Sequence, residues 1–104
     1  MTQFDFNLLY DKYPETIASM NDPFTSHQFI LELARQNQVL YIEALYAYRH
    51  QARINKPAPF MIVHGRLARH LFEYPNLITQ LRKDAPSKDI FNQDNWCSEW
   101  KKVN

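Results

Sequence analysis

The sequence predicts a mainly α domain of four or five helices around one hydrophobic core. The chain has 104 residues, which is enough for one ordinary core and too few for two. It contains a single glycine, Gly65, so the tight turns of positive φ that all-β sandwiches need are nearly excluded. Hydrophobic residues make up 45% of the chain and charged residues 22%, as is typical of globular proteins. We therefore expect residues 1–104 to form one small helical domain.

The first half of the chain predicts a short helix followed by a long one. Pro14 suits the first turn of the short helix. Residues 25–50 contain neither glycine nor proline, and Thr25 or Ser26 can cap a helix at their start. An apolar stripe keeps its helical phase across the polar interval 35–38, which predicts one continuous or slightly bent helix.

The second half of the chain predicts two further helices and a C-terminal element that is either a helix or a β-hairpin. Residues 60–74 form an amphipathic helix with basic side chains opposite its apolar side, and Pro75 ends it. Residues 76–83 are expected to form a short helix. Residues 88–103 fit either a helix or a β-hairpin with a turn at 92–95. The hairpin is slightly favoured because Ile, Phe and Trp flank a four-residue polar turn.

The basic residues are concentrated in the middle third of the chain. Residues 1–48 contain two basic and six acidic side chains, whereas residues 49–83 contain seven basic and one acidic. Residues 84–104 are close to neutral, so the net charge of +1 hides this segregation. A basic segment favours contact with a polyanion. The alternative is that the acidic and basic segments neutralise each other across the fold.

The basic segment therefore supplies the candidate binding residues. They are Arg66, Arg69, His70, Arg82 and Lys83, with Arg49, Arg53 and Lys56 as flanking residues. Arginines on an outward helix face can enter a major groove or lie along phosphates. Arg82 and Lys83 would also suit the negative end of the helix dipole at the end of the predicted helix 76–83. We expect a small nucleic-acid-binding or regulatory protein that contacts the phosphates of double-stranded DNA.

The predicted order of elements resembles that of winged-helix DNA-binding domains over roughly residues 25–101. The resemblance implies that residues 60–74 form the first short helix, residues 76–83 the recognition helix and residues 87–101 the wing. It lies in the layout and in no family-specific motif, and the strand that usually separates the first two helices has no counterpart in the sequence. Winged helices also serve as protein-docking modules, so the layout alone does not fix the function.

The alternative function is a protein–protein interaction module, which could be a homodimer. Seven Phe, six Tyr and two Trp are more aromatic residues than one small core easily buries, and exposed aromatics mark interfaces. Tyr41 and Tyr48 share the apolar stripe and are expected in the core, whereas Tyr46 is expected at the surface. The acidic and basic segments could also pair between two subunits.

Signatures of enzymes and cofactor sites are absent from the sequence. There is no phosphate loop, nucleophile elbow, HExxH pair or dinucleotide fingerprint, so we expect no catalytic residue, no cofactor and no metal. Cys97 is the single cysteine, which excludes an intrachain disulfide and a thiolate-rich metal site. His64 and His70 are six positions apart and do not share a helix face, and His64 is expected to be partly buried and hydrogen-bonded. A pocket that joined Cys97 to a histidine would favour an enzyme instead.

The sequence also predicts a cytoplasmic protein without a membrane partner. No apolar run approaches the length of about 20 residues that spans a bilayer. The polar start of the chain does not resemble a signal peptide.

Overall fold

The structure, a computed structural model, describes residues 4–50 and 59–103. Within them the helices are α1 (Asn7–Tyr10), α2 (Tyr13–Ser19), α3 (Ser26–Gln36), α4 (Gln38–Ala47) and α5 (Phe60–His70), which continues into a 3-10 turn (Leu71–Glu73). The strands are β1 (Phe24–Thr25), β2 (Ile78–Lys88) and β3 (Asp94–Lys102). They form an antiparallel sheet in the order β1-β3-β2. None of the helices in these two ranges is long and apolar enough to cross a membrane.

The prediction of a mainly α domain was wrong, because 24% of the described residues lie in strands and 50% in helices. Residues 76–83, predicted as a recognition helix, instead contain the start of β2. Their apolar spacing fits a helix, but Leu81 is 48% exposed whereas Ile78 and Ala85 are buried. An isolated helix of this length is unstable, and pairing with β3 satisfies the same backbone groups. The recognition helix that the winged-helix resemblance implied for residues 76–83 is therefore incorrect, whereas the helix predicted for residues 60–74 is present as α5 and its 3-10 turn.

Of the two alternatives predicted for residues 88–103, a helix and a β-hairpin, the structure has the hairpin. Its turn lies at 89–93 instead of 92–95, and its first strand reaches back to Ile78. The Asp89 carboxylate accepts hydrogen bonds from the backbone N–H groups of Phe91 (2.9 Å) and Gln93 (3.0 Å). Asn92 has a φ of 62°, a conformation that asparagine tolerates better than most residues. Local side-chain chemistry therefore sets the turn.

The start of α3 was predicted correctly, but the prediction of one continuous or slightly bent helix through the polar interval 35–38 was wrong. Thr25 forms a capping box with Gln28, in which each side chain accepts a hydrogen bond from the other's backbone N–H (3.2 and 2.9 Å). The helix stops at Asn37, whose φ and ψ are −137° and 56°. The Asn37 side-chain amide donates to the Leu33 carbonyl at 3.1 Å and stabilises this break between α3 and α4.

One hydrophobic core lies between the helices and the sheet. Its fully buried large side chains include Tyr13, Phe24, Phe29, Leu33 and Leu67. The Tyr13 hydroxyl donates to the Leu67 carbonyl at 2.6 Å and so joins α2 to α5. Trp100 of β3 is buried, and its indole N–H donates to the Ser26 hydroxyl at 2.9 Å. Both of these polar groups are hydrogen-bonded, so their burial is tolerated.

Candidate functional site

Arg66 and Arg69 are exposed on α5, as the helical phase of the sequence predicted. The Arg66 guanidinium lies over the rings of Phe6 and Tyr48, 5.0 and 5.9 Å from their centroids. Within residues 4–50 and 59–103, no carboxylate oxygen lies within 4.0 Å of either guanidinium. Both charges are therefore available to an external anion.

His70 does not share this exposed face. Its ring is half-buried and stacks on Tyr10, with centroids 3.5 Å apart and an interplanar angle of 8°. Its Nε2 lies 3.2 Å from the Tyr74 hydroxyl. Burial lowers the pKa of His70 despite the opposing effect of Glu73, so the ring is mainly neutral at pH 7. The structure therefore places His70 as a packing residue between α5 and α1.

The two candidates of the predicted helix 76–83 lie on β2 and have different surroundings. Arg82 Nε donates to the Glu99 carboxylate of β3 at 2.9 Å, so this cation is already paired within the hairpin. Lys83 is exposed, and no carboxylate of the described residues lies within 4.0 Å of its ammonium group. Of the two, Lys83 is the one that can bind an external anion.

The flanking candidates lie after α4. Arg49 is exposed, its guanidinium is 3.7 Å from the Tyr46 ring centroid, and it donates to the Tyr46 carbonyl at 2.8 Å. Tyr46 itself is 58% exposed, as predicted. Arg53 and Lys56 lie outside the described residues.

A cleft of about 720 Å³ separates α5 from the hairpin. Its rim carries four exposed aromatic side chains, Phe60, Phe72, Phe91 and Trp96. Arg69 lines it from α5 and Lys83 from β2. At one end Phe60 and Phe91 meet edge to face, with centroids 4.9 Å apart. The cleft thus combines stacking surfaces with two cations from different elements.

Cys97 and His27 line the same cleft, a neighbourhood that the sequence did not predict. In the pairing of β1 with β3, Phe24 is opposite Trp100 and Thr25 is opposite Glu99. Strand β1 runs directly into α3, and the imidazole and backbone N–H of His27 contact Cys97. No candidate set from the sequence included His27, because only the pairing of β1 with β3 brings the start of α3 next to Cys97.

The thiol and the imidazole shift each other's pKa. Burial raises the pKa of the Cys97 thiol, but hydrogen bonding to His27 and Ser87 outweighs burial and lowers it overall. Hydrogen bonding to Cys97 is the largest cause that raises the pKa of His27, and it exceeds the opposing effect of burial. In the described ranges, no three His, Cys, Asp or Glu side chains come together as a metal site would require.

His64 also lines the cleft, and it is partly buried and hydrogen-bonded as predicted. Its Nε2 lies 2.6 Å from the Tyr41 hydroxyl, and the two rings stack with centroids 5.8 Å apart. Burial, with a smaller effect of nearby His27, lowers the pKa of His64 to about 4. His64 therefore stays neutral at pH 7 and adds no charge to the cleft.

Replacing His64 by glutamine should remove part of the acid sensitivity of folding. Between pH 6.5 and pH 4 the unfolded chain binds a proton at His64 that the folded chain does not, so the free energy of unfolding falls as the pH drops. Between pH 7 and pH 5 this residue should account for a loss of about 2 kcal/mol. Urea unfolding of the parent and of His64→Gln at both pH values measures the difference. The exposed His50→Gln variant should keep the parent's pH dependence, and an unchanged pH dependence in His64→Gln would contradict the assignment.

Comparisons with protein-family models, with curated proteins and with solved structures gave no match to this chain.

Proposed function

We propose that this protein binds nucleic acid through phosphate contacts made by a basic strip, which consists of Arg66 and Arg69 of α5 and Lys83 of β2. The observation that carries the proposal is that these three exposed cations, from two elements, have no ionic partner among residues 4–50 and 59–103. Arginine and lysine side chains of this kind supply most of the affinity for a phosphate backbone. Arg82 and His70 are not part of the strip, because Glu99 and Tyr10 already engage them.

The cleft adds a second feature that suits nucleic acid. Arg69 and Lys83 line it from opposite walls, and Phe72 and Trp96 are 55% and 64% exposed at its rim. Aromatic side chains beside a basic groove stack on unpaired bases without sequence preference. The strip can hold the backbone of either duplex or single-stranded nucleic acid, and the aromatic rim favours bases that are not paired.

The order of elements is compatible with a winged-helix layout under a new assignment. The strand that the sequence lacked is β1, which lies between α2 and α3 and pairs with the central strand β3. The helix that precedes the hairpin is α5, so it takes the place that the resemblance gave to residues 76–83. In that layout α5 is the helix presented to DNA, and it carries Arg66 and Arg69.

Neutralising the basic strip should weaken nucleic-acid binding. The triple variant Arg66→Gln, Arg69→Gln, Lys83→Gln should bind a labelled oligonucleotide at least about tenfold more weakly at low salt, because three phosphate contacts are lost. Fluorescence anisotropy with duplex and single-stranded DNA measures the change. Glutamine keeps much of the side chain of Arg66 over Phe6 and Tyr48, and circular dichroism verifies the fold.

The control removes the same number of charges elsewhere by substitution with glutamine, at Lys101 and at Lys12 and Arg35, which pair with Glu15 and Glu32. All three lie outside α5 and the cleft: Lys12 precedes α2, Arg35 is on α3 and Lys101 is on β3. This control should retain most of the parent's affinity. Equal affinity of the strip variant and the parent, or equal losses in the strip variant and the control, would contradict the proposal.

A second candidate function is self-association through α4. This helix is apolar on two sides: Ala44 is buried, whereas Val39, Ile42 and Tyr46 are 69%, 61% and 58% exposed. The exposed three are spaced three and four residues apart and share one face. An exposed apolar face of this kind marks an interface.

We propose a second copy of this chain as the occupant of the α4 face. The three exposed residues are nearly symmetric about Ile42, so two α4 helices packed antiparallel around a two-fold axis place Tyr46 against the partner's Val39. The acidic residues 1–48 and the basic residues 49–83 provide complementary charge between copies. Both features come from one chain and need no other partner.

Light scattering across a range of protein concentrations tests self-association. The parent should form a dimer as the concentration rises, and Ile42→Lys should remain monomeric because it places a charge at the two-fold axis. The control Leu81→Lys replaces an apolar side chain of 48% exposure on β2 and should still dimerise. A parent that stays monomeric at millimolar concentration would exclude the dimer.

A further inference from the structure

We propose that Cys97 and His27 form a nucleophilic thiol site, in which Cys97 exchanges with aryl disulfides that enter the cleft between α5 and the hairpin. Arg69 and Lys83 belong to both sites, but the exchange does not require nucleic-acid binding, because it needs only a thiolate and a surface for the organic group. The cleft supplies both.

Cys97 of β3 lies next to the first residues of α3. His27 is the second residue of this 11-residue helix, directly after the Thr25 cap and Ser26. The Thr25 hydroxyl lies 2.8 Å from that of Ser87, which fixes β2 beside the same helix start. The pairing of β1 with β3 ends at Thr25, and α3 follows at once, so that His27 lies next to Cys97. A helix N-terminus beside a histidine is a setting in which protein thiols become thiolates.

The electrostatics of the cleft agree with this placement. The Cys97 thiolate is stabilised by the imidazole and the backbone N–H of His27 and by the Ser87 hydroxyl, which together outweigh its burial. The Asp89 carboxylate of the turn contributes to the raised pKa of His27. The other ionisable groups that line the cleft are His64 and Arg69 of α5 and Lys83 and Asp84 of β2. The pair is therefore held as thiolate and imidazolium more readily than two isolated side chains.

His27 carries a further sign of an incomplete site. Its Nδ1 is buried and has no hydrogen-bond partner among the described residues. Buried polar atoms are nearly always satisfied in folded proteins, and the exceptions concentrate where a ligand or a reaction completes them. This observation is independent of the sheet register and of the charge on the thiol.

The exchange proceeds in one displacement. The Cys97 thiolate attacks one sulfur of the disulfide, the new Cys97–sulfur bond forms, and the original sulfur–sulfur bond breaks. The second half of the reagent leaves as an aryl thiolate, which is a weak base and stays unprotonated, and the proton on His27 exchanges with solvent. Atoms and electrons balance without an external oxidant or reductant, and the product is a mixed disulfide on Cys97.

The walls of the cleft indicate the class of reagent. Phe91 and Trp96 also line the cleft, are 52% and 64% exposed, and can stack on an aromatic ring. Arg69 and Lys83 line the same cleft and attract anionic substituents. An aromatic disulfide that carries carboxylates, such as 5,5′-dithiobis(2-nitrobenzoic acid), matches both features.

The test measures the rate at which this reagent labels the protein from pH 5 to pH 9. Cys97 is the only cysteine, so the released thiolate reports on one site, and the same chain unfolded in urea provides the reference thiol. At pH 7 the folded protein should react several-fold faster than the unfolded chain, and its rate should level off at a lower pH. His27→Gln should remove this advantage, whereas His50→Gln, an exposed histidine outside the cleft, should retain it.

Two results would overturn the proposal. One is a folded-state rate that is equal to or slower than that of the unfolded chain across the whole pH range, which requires no variant. The other is a His27→Gln protein, shown to be folded by circular dichroism, that reacts as the parent does at every pH. The thiolate absorbance at 240 nm, titrated in the parent without reagent, must show the same low-pH inflection as the rate.

Discussion

The attachment of the hairpin to the start of α3 is the constraint on which the rest of the structure depends. Thr25 caps the helix, pairs with Glu99 in the sheet and contacts Ser87 of β2 through its hydroxyl. Next to it, Trp100 is buried and donates to the Ser26 hydroxyl. A two-residue strand thus joins the helical half of the chain to the sheet. The hairpin is fixed at this end and extends alongside α5. The cleft lies between the hairpin and α5.

Both proposed sites use residues of the cleft. Arg69 of α5 and Lys83 of β2 line it together with exposed aromatic rings. Cys97 of β3 and His27, near the start of α3, line it as well. The cations are suited to phosphates and the thiol to soft electrophiles, so each proposal can fail while the other stands.

The sequence predicted the features that arise from local interactions. The Thr25 cap, the amphipathic helix α5 and the outward direction of Arg66 follow from spacing and capping rules, and the structure has them. The strand character of residues 78–88 was missed, because it depends on pairing with β3 rather than on residue preference. The same limit applies to the site, because the strand pairing that brings the start of α3 next to Cys97 joins residues more than 70 positions apart. The sequence showed which residues are cations, but it did not show which of them, such as Arg82, pair with a carboxylate inside the fold.

The salt dependence of nucleic-acid affinity gives the sharpest test of phosphate binding by the basic strip. Anisotropy titrations of the parent protein with duplex and single-stranded DNA at several salt concentrations give the slope of log affinity against log salt. A basic strip that contacts three phosphates predicts micromolar or tighter binding at low salt and a slope of about −3 on duplex DNA. No binding at low salt, or an affinity that salt leaves unchanged, would contradict phosphate binding by the basic strip. The basic segment would then serve charge balance within the fold or between copies of the chain.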